Sequence, residues 1–326
     1  MIMRILVTGG AGFIGSCFVR YMLNTHPDYQ IVNLDALTYA GNIENLDDVK
    51  NSSRYSFVEG DICDHNLVKD LVKTVDSVVN FAAESHVDRS ITGPDIFVKT
   101  NIEGTLNLLQ SCNEIGIDRF LQVSTDEVYG SLGKEGYFYE TTPLAPNSPY
   151  SASKAGADLL VHAFYKTYEL PVLNTRCSNN YGPYQYPEKL IPFFISKLLR
   201  NEKVPVYGDG LNVRDWLYVY DHCAAIDLVL HKGKTGEVYN IGGHNEKSNL
   251  EITRIILEAM GKDESMIEFV QDRKGHDRRY AIDNDKITSE LGWTPSVTFE
   301  QGIRLTIDWY LNHQEWMNHI ALKKSK

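Results

Sequence analysis

Short apolar runs rich in β-branched residues alternate with longer amphipathic stretches through the first half of the chain. Near-continuous apolar strands of this kind are typical of a parallel sheet that helices cover on both faces. We therefore predict an α/β fold with a doubly wound parallel sheet. The predicted strands are Met3–Thr8, Gln30–Asp35, Ser56–Glu59, Ser77–Phe81, Arg119–Ser124 and Val172–Cys177, and the predicted helices are Gly12–Asn24, Asn66–Thr74, Asp95–Ile115 and Tyr150–Tyr168.

Three glycines stand between the first predicted strand and the first predicted helix, in the segment RILVTGGAGFIGSCF. Gly9 allows a tight turn, Gly12 lets the backbone approach a pyrophosphate, and Gly15 allows the helix to pack closely on the strand. The helix N-terminus offers free N–H groups and a partial positive charge to phosphates. Asp35, at the end of the second strand, is placed to bind ribose hydroxyls and would repel a 2′-phosphate. The segment predicts a Rossmann domain that binds NAD rather than NADP.

The composition of the chain changes from about Tyr181, where proline, tyrosine and glycine become frequent in YGPYQYPEK. We predict that residues 1–180 form the NAD-binding Rossmann domain and that residues 181–326 mainly form a smaller α/β domain for the substrate. The segment 215–245 contains core-like apolar runs, so we expect the chain to return to the large domain there. The two predicted domains are therefore partly interleaved.

Charge and cysteine content narrow the class of protein. The 326 residues carry a net charge of −11 without a block of Lys or Arg, which argues against nucleic acid or an anionic membrane as partner. The five cysteines are never spaced as CxxC and the ten histidines do not cluster along the chain, so we predict no disulfide framework and no metal site. No apolar run reaches about 18 residues and the chain begins with a strand, so we expect a cytoplasmic protein.

A tyrosine and a lysine lie one helical turn apart in PYSASKAGADLL. Tyr150 and Lys154 therefore share one helix face. The ammonium group and the positive nicotinamide ring of NAD are expected to lower the pKa of Tyr150 from about 10, so that the phenol can act as a base. Thr125 adds a hydroxyl group at the end of a strand. In combination with the glycine loop, these residues predict a catalytic site.

Two adjacent carboxylates, Asp126 and Glu127, follow an apolar strand in the segment STDEVYG. A buried ionised carboxylate costs several kcal/mol unless it is paired or its pKa shifts. A solvated turn would explain the pair without any function. A proton-transfer site would instead use the repulsion between the carboxylates, which raises one pKa and separates an acid from a base. The pattern alone leaves both interpretations open.

The segments TGGAGFIG, TDEVYG and YSASK together resemble the extended short-chain dehydrogenase/reductase family, and within it the sugar-nucleotide 4,6-dehydratases. Matching stretches across most of the chain are LDALTYAGN, FAAESHVDRS, RCSNNYGPYQYPEKLIP, VYGDGLNVRDWLYV and DRKGHDRRYAID. The chain departs from the family pattern at Lys274, where many relatives have proline.

The resemblance implies an NAD-dependent lyase that dehydrates dTDP-glucose in the biosynthesis of a deoxysugar such as dTDP-rhamnose. Tyr150 would take the proton of the 4-hydroxyl group while hydride leaves C4, and Thr125 would bind the same hydroxyl. Glu127 would then take the C5 proton, and Asp126 would protonate the departing 6-hydroxyl. Return of hydride to C6 and reprotonation of C5 would complete dTDP-4-keto-6-deoxyglucose.

The resemblance also implies which residues contact the two ligands. Arg214 and Arg273 are expected to hold the diphosphate by charge-assisted hydrogen bonds. Besides the glycines, Asp35, Tyr150 and Lys154, the expected cofactor contacts are Phe13, Ile14, Leu37, Thr38, Asp61, Ile62, Phe81, Ala82, Ala83, Ser85, Thr100, Ser124, Cys177 and Asn180. Besides Thr125, Asp126, Glu127 and the two arginines, the expected substrate contacts are Ser85, His86, Asn179, Lys189, Leu190, Pro205, Tyr207, Asn249, His276 and Tyr280.

The helices predicted at Asp95–Ile115 and Tyr150–Tyr168 have broad apolar faces, and the resemblance implies that they form a homodimer interface. Burial of these faces within one chain is the alternative that the pattern leaves open.

Three alternative functions also remain open. The substrate could carry UDP or GDP instead of dTDP. A UDP-sugar 4-epimerase would need Tyr150 and Thr125 but has no use for the acid–base pair. A non-catalytic NAD-binding regulator would keep only the fold, and the intact Thr125, Tyr150 and Lys154 argue against it.

Overall fold

The computed structural model describes residues 3–272 and 276–324, so the predicted diphosphate contact Arg273 and the departure at Lys274 lie outside the described residues. Its centre is a seven-stranded parallel sheet in the order β10-β6-β5-β4-β1-β2-β3. The strands are β1 (Arg4–Thr8), β2 (Gln30–Asp35), β3 (Tyr55–Glu59), β4 (Ser77–Asn80), β5 (Arg119–Thr125), β6 (Val172–Cys177), β7 (Asn179–Tyr181), β8 (Val204–Tyr207), β9 (Val213–Tyr218), β10 (Val238–Ile241), β11 (Glu246–Ser248) and β12 (Ile267–Val270).

Helices cover both faces of the large sheet, and others pack with the smaller sheets that are described below. They are α1 (Phe13–Thr25), α2 (His65–Val72), α3 (Val87–Thr92), α4 (Asp95–Phe97), α5 (Thr105–Ile115), α6 (Pro149–Tyr168), α7 (Leu190–Leu199), α8 (Val219–Lys232), α9 (Asn249–Ala259), α10 (Asp285–Leu291), α11 (Phe299–Asn312) and α12 (Gln314–Lys324). Short 3₁₀ turns lie at Ile43–Leu46, Asp126–Tyr129 and Glu264–Met266, and a π-helical segment spans Val98–Gly104.

The predicted doubly wound α/β fold is confirmed, and the reason lies in the apolar strands. Successive residues of a strand point to opposite faces of the sheet. Ile5 and Val7 of β1 pack into the core beneath α1 and α8, whereas Leu6 packs into the core beneath α2, α5 and α6. Both faces of the strand are therefore buried, which explains why the sequence is apolar without alternation.

The helix predicted at Asp95–Ile115 is not a continuous α-helix, because α4 and α5 are separated by the π-helical segment. Asn101, inside that segment, donates hydrogen bonds to the carbonyl oxygen of Glu84 (3.0 Å) and to the hydroxyl of Ser153 in α6 (2.8 Å). The wider turn accommodates these tertiary hydrogen bonds, which the apolar pattern does not encode.

The second region contains two small sheets, β11-β9-β7 and β12-β8, together with α7, α9, α11 and α12. The core-like run at Asp215–Val219 belongs mainly to β9 and therefore lies in one of these small sheets rather than in the large one. Within the segment 215–245, α8 and β10 do return to the large sheet, where α8 contacts α1 and β10 pairs with β6.

No helix among the described residues is both long enough and apolar enough to cross a membrane.

Candidate active site

The glycine loop after β1 leaves space for a ligand beside its backbone. Gly9 has φ +70°, and a Cβ atom there would lie 2.7 Å from the backbone nitrogen of Ala82. A Cβ atom on Gly15 would collide with the carbonyl oxygen of Gly9, so glycine allows α1 to pack against the loop. Gly12 caps α1 without a side-chain hydrogen bond, and the first residues of the helix line a cleft. This arrangement fits the pyrophosphate of a dinucleotide.

The carboxylate of Asp35 organises the loop from the end of β2. It accepts hydrogen bonds from the backbone N–H of Ala11 and from that of Leu37, each at 2.8 Å. Burial raises the pKa of Asp35, and the two backbone hydrogen bonds act in the opposite direction. Asp35 lines the cleft and is placed to meet ribose hydroxyls, whereas Leu37 does not line it and contributes its backbone N–H.

Four predicted catalytic residues meet at the carboxyl end of β5. Thr125 ends the strand and caps the following 3₁₀ turn, because its hydroxyl accepts a hydrogen bond from the N–H of Glu127 at 3.3 Å. Tyr150, in the first turn of α6, is hydrogen-bonded to the side chain of Thr125. Asp126 and Glu127 follow in the turn, so hydroxyl, phenol and two carboxyl groups share one end of the cleft.

The Asp126 carboxyl group is 1% exposed. Its Oδ1 accepts a hydrogen bond from the Thr125 hydroxyl at 3.3 Å, and its Oδ2 has no hydrogen-bond partner among the described residues. Burial, followed by repulsion from Glu127 and Asp215, raises the pKa of Asp126 well above its usual range, while Arg214 acts in the opposite direction. A solvated turn is therefore wrong for Asp126, and only Glu127 is half-buried.

The side chains around Tyr150 raise its pKa, whereas the sequence analysis expects Lys154 and the nicotinamide ring of NAD to lower it. Burial is the largest cause, and Glu127 and Cys177 add to it, whereas the hydrogen bond with Thr125 acts in the opposite direction. The side chains around the phenol therefore favour its neutral form.

Lys154 lies one turn further along α6 and is buried. Its Nζ donates a hydrogen bond to the carbonyl oxygen of Val123 at 2.8 Å, which fixes the ammonium group at the end of β5. Burial lowers the pKa of Lys154, and Asp158 opposes this shift. Asp158 in turn forms a buried ion pair with Arg176 of β6 at 2.9 Å. The sequence analysis did not predict this ion pair. Its Asp158 carboxylate favours the charged form of Lys154.

One cleft at the carboxyl edge of the large sheet contains most of the residues predicted to bind NAD. The side-chain oxygens of Ser124 and Asn179 lie at this cleft, buried and without a hydrogen-bond partner among the described residues. The predicted residues that line the cleft are Gly9, Gly12, Phe13, Ile14, Gly15, Asp35, Thr38, Asp61, Ile62, Phe81, Ala82, Ala83, Ser85, Thr100, Ser124, Thr125, Asp126, Glu127, Tyr150, Lys154, Cys177, Asn179, Asn180 and Lys189.

Arg214 and Tyr280 approach the acidic pair from the second region. The Arg214 guanidinium lies 4.3 Å from the centre of the Tyr280 ring, and it donates hydrogen bonds to the carbonyl oxygens of Val213 (2.7 Å) and Asp277 (2.9 Å). Burial and the nearby Glu127 raise the pKa of Tyr280, and Arg214 opposes that shift. The structure thus brings this predicted pair next to the acid–base site, although neither residue lines the cleft itself.

The remaining predicted substrate residues lie further from the cleft. Tyr207 and His276 form an edge-to-face ring pair with centroids 6.4 Å apart, and Nδ1 of His276 is 2.6 Å from Oδ1 of Asp272. His86 caps α3 by accepting a hydrogen bond from the N–H of Arg89. The predicted substrate residues that do not line the cleft are His86, Leu190, Pro205, Tyr207, Arg214, Asn249, His276 and Tyr280.

The sequence analysis missed several residues that line the cleft, among them Tyr39, Glu84, Tyr186 and Glu188. The Tyr39 ring lies 3.8 Å beneath the Arg89 guanidinium and packs edge-on against Tyr186, with centroids 5.6 Å apart. Tyr39 and Glu84 stand inside LDALTYAGN and FAAESHVDRS, so the family resemblance carried a signal for them. Tyr186 and Glu188 stand inside RCSNNYGPYQYPEKLIP, so the family resemblance carried a signal for them as well.

Fold and site together define a dinucleotide-binding enzyme of the short-chain dehydrogenase/reductase type, with two adjacent carboxyl groups at one end of its cleft. The chain belongs to the GDP-mannose 4,6 dehydratase family, whose model matches residues 6–306.

Similar proteins cover almost the whole chain. A dTDP-glucose 4,6-dehydratase of Xanthomonas campestris pv. campestris (strain B100) is 55% identical over an alignment of 335 positions, which covers 97% of this chain and 95% of that protein. A low-salt glycan biosynthesis protein of Haloferax volcanii is 58% identical over 313 residues, covering 96% of this chain and 100% of that protein. The crystal structure of DesIV, a dTDP-glucose 4,6-dehydratase from Streptomyces venezuelae with NAD and TYD bound, superposes with a TM-score of 0.96 at 52% identity and covers 98% of this chain and 100% of that chain.

The raised pKa of Asp126 predicts how its replacement by Asn changes stability with pH. The folded-state pKa lies above the unfolded one, so the folded state binds the proton more tightly and wild-type stability falls as pH rises between the two values. Asn cannot ionise. The free energy of unfolding of D126N, relative to wild type, should therefore increase as pH rises from about pH 4. Urea unfolding at several pH values measures this difference.

Asp70 offers a control of opposite sign. It is exposed, and its hydrogen bond with Lys73 lowers its pKa, so D70N should lose relative stability as pH rises through the acid range. Parallel stability–pH curves for D126N and wild type would contradict the assignment of a raised pKa to Asp126.

Proposed function

We propose that this chain is an NAD-dependent dTDP-glucose 4,6-dehydratase, which converts dTDP-glucose to dTDP-4-keto-6-deoxyglucose and water. The observation that carries the proposal is the pair formed by buried Asp126, whose pKa is raised, and half-buried Glu127, beside Thr125 and Tyr150. An enzyme that only oxidises and reduces C4 does not need an acid and a base at this place. Elimination of water needs both.

The cleft holds the dinucleotide through the chain's own backbone and one carboxylate. The glycine loop and the N-terminus of α1 bind the pyrophosphate, and Asp35 binds the adenosine ribose. A 2′-phosphate would meet the charge of Asp35, which favours NAD over NADP. When bound, NAD supplies the acceptor that takes hydride from C4 and later returns it to C6, so the overall reaction has no net redox change.

Tyr150 is the proposed base for the 4-hydroxyl group, and Thr125 binds the same hydroxyl. The protein alone favours the neutral phenol, since burial and Glu127 raise the pKa of Tyr150. The positive charge of Lys154, held at the end of β5 and supported by Asp158, acts toward the phenolate, and the positive nicotinamide ring of bound NAD would add to it. Tyr150 is therefore expected to lose its proton only in the complete complex.

Asp126 and Glu127 are the proposed acid and base of the elimination step. Oxidation at C4 acidifies the C5 proton, which Glu127 takes, and C5 regains a proton when hydride returns to C6. Asp126, whose raised pKa favours the protonated carboxyl group, gives its proton to the departing 6-hydroxyl. The charge of each carboxyl group affects the pKa of the other, so their ionisation is a property of the pair.

The substrate is proposed to lie between the cleft and the second region. Asn179, whose Oδ1 is buried without a partner among the described residues, is placed to bind a sugar hydroxyl. Lys189 reaches the carbonyl oxygen of Ser85 at 3.0 Å across the same space. Arg214 is proposed to hold the diphosphate, and Tyr207 and His276 form the wall expected for the nucleotide.

A substrate panel tests the proposal. The purified protein with NAD⁺ is incubated with dTDP-glucose, UDP-glucose and GDP-mannose, and products are identified by mass spectrometry and NMR. We expect a 4-keto-6-deoxy product, formed fastest from dTDP-glucose. Faster dehydration of a UDP- or GDP-sugar would show that the substrate carries that nucleotide instead of dTDP. Formation of a galactose nucleotide would show that the protein is an epimerase. Tight NAD binding without turnover of any sugar would favour a regulator.

Glu127→Gln separates the two halves of the reaction. The variant keeps the size of the side chain but has no base for C5, so we expect oxidation at C4 to survive and elimination to slow by about 10²- to 10⁴-fold. Single-turnover absorbance of the reduced nicotinamide reports oxidation, and exchange of the C5 proton with deuterated water reports the base.

Tyr150→Phe is the matched comparison, because it should lose oxidation as well as elimination. If E127Q dehydrates at the wild-type rate, or if it loses oxidation to the same extent as Y150F, the role given to Glu127 is wrong.

We also propose a cytoplasmic homodimer. All five cysteines are free in the structure, which suits a reducing compartment. Leu159 of α6 is 60% exposed, and Ile96 and Val98 are 47% and 53% exposed, so the helices expected at the interface carry apolar side chains on the surface of the single chain.

A charge on this surface tests the dimer. Leu159→Arg should yield monomers in analytical ultracentrifugation, because a guanidinium would be buried at the interface without a partner. Leu305→Arg, at an exposed position of α11 remote from these helices, should leave the assembly unchanged. A dimer that persists in L159R would place the interface elsewhere.

A further inference from the structure

Two imidazoles and one carboxylate meet at the end of α1 that is remote from the cleft. His26 is the C-cap of α1, and Asp227 and His231 lie one turn apart in α8. Because α1 has 13 residues and rises about 1.5 Å per residue, this end lies about 20 Å from the glycine loop. The proposed reaction uses none of these three side chains. We propose that this histidine–aspartate cluster binds Zn²⁺.

The donor atoms of the cluster have the spacing of a metal site. Nε2 of His26 lies 2.9 Å from Oδ1 of Asp227, and Nδ1 of His231 lies 2.9 Å from the same oxygen. All three donors lie within 4.8 Å of one another. A tetrahedral zinc ion with ligands at about 2.0–2.1 Å requires donors about 3.3 Å apart, so each imidazole nitrogen would move about 0.4 Å away from Oδ1. Nδ1 of His231 also lies 2.8 Å from the backbone carbonyl oxygen of Asp227, and the ion would replace this hydrogen bond. Water or the second Asp227 oxygen completes the coordination.

Tyr29 supplies the outer contact that zinc-bound histidines usually have. Its hydroxyl lies 2.8 Å from Nε2 of His231, so this nitrogen donates to the tyrosine oxygen when Nδ1 binds the ion. The Tyr29 ring is stacked on His26 at 4.4 Å and an interplanar angle of 10°, and on His231 at 5.6 Å. Tyr29 therefore contacts both imidazoles of the cluster.

The surrounding charges set which cations the cluster accepts. The C-termini of α1 and α8 converge here and carry partial negative charge, which favours a cation. Arg54 and Arg119 oppose the binding of a cation, since they donate hydrogen bonds to the carbonyl oxygens of the same helix ends. With only one carboxylate, the cluster offers little to Mg²⁺, whereas imidazole ligands suit Zn²⁺.

An ion at this place would join the end of α1 to α8. These helices cover one face of the large sheet, and 201 residues separate His26 from Asp227 along the chain. Because the unfolded chain does not hold the three donors together, binding would stabilise the fold by mass action. The effect is structural, since α1 reaches the dinucleotide loop only through its opposite end.

Titration of the metal-free full-length protein with Zn²⁺ tests the site. Isothermal calorimetry should show one ion per chain, and the thermal unfolding midpoint should rise with Zn²⁺ and not with Mg²⁺. Tyr29→Phe should weaken binding by about 10- to 100-fold, the usual effect of losing an outer contact. His26→Ala and His231→Ala should weaken it more than Tyr29→Phe does.

His319→Ala is the matched control, because Nδ1 of His319 lies 3.1 Å from a carboxylate oxygen of Glu44 but His319 belongs to no group of three possible metal ligands among the described residues. It should bind Zn²⁺ as the wild type does. Absence of saturable binding would leave a hydrogen-bonded cluster only and overturn the proposal. Equal affinity in wild type, H26A and H231A would also overturn it, because the ion would then bind elsewhere. Circular dichroism confirms that each variant is folded.

Discussion

The parallel pairing of β1 with both β2 and β4 is the constraint on which the rest of the structure depends. The chain builds outward to β3 on one side and then crosses to β4, β5 and β6 on the other, so a crevice opens where the order reverses. Parallel strands present their carboxyl ends at one edge. Gly9, Asp35, Phe81, Thr125 and Cys177 all end or directly follow a strand at that edge, and the cleft is built from them.

Desolvation at this edge then determines the chemistry. Burial is the largest cause of the pKa shifts of Asp126, Tyr150 and Lys154, and in each case it favours the neutral form. Charges that remain in such a site act strongly on each other. A carboxyl group that keeps its proton beside one that is half-buried is the division of roles that elimination of water requires.

The second region completes what the large sheet begins. Arg214 of β9 opposes the rise in the pKa of Asp126, and Tyr280 packs on its guanidinium next to Glu127. Helix α1 links distant parts in a similar way, because its N-terminus forms the dinucleotide loop and its C-terminus carries His26 beside α8. The two ends of one helix thus take part in two unrelated sites.

A local sequence pattern is sufficient to predict a feature that depends on residues close together in the chain. The six predicted strands agree with the structure to within one residue at each end, because burial on both faces requires an uninterrupted apolar run. Gly9, Gly15 and Asp35 were predictable for a related reason, since the turn, the close packing and the strand end follow one another within a single βαβ unit. The division of the chain into two domains stays a prediction.

The sequence by itself determined the alternation of strands and helices, the glycine loop and the residue types at the strand ends. Only the tertiary structure decided which of two adjacent carboxyl groups is buried. It also decided that Lys154 donates a hydrogen bond to the carbonyl oxygen of Val123 and that His26 is hydrogen-bonded to Asp227. Solvent exposure and the distance between residues far apart in the chain arise from packing, and protonation follows from both. No pattern of neighbouring residues specifies them.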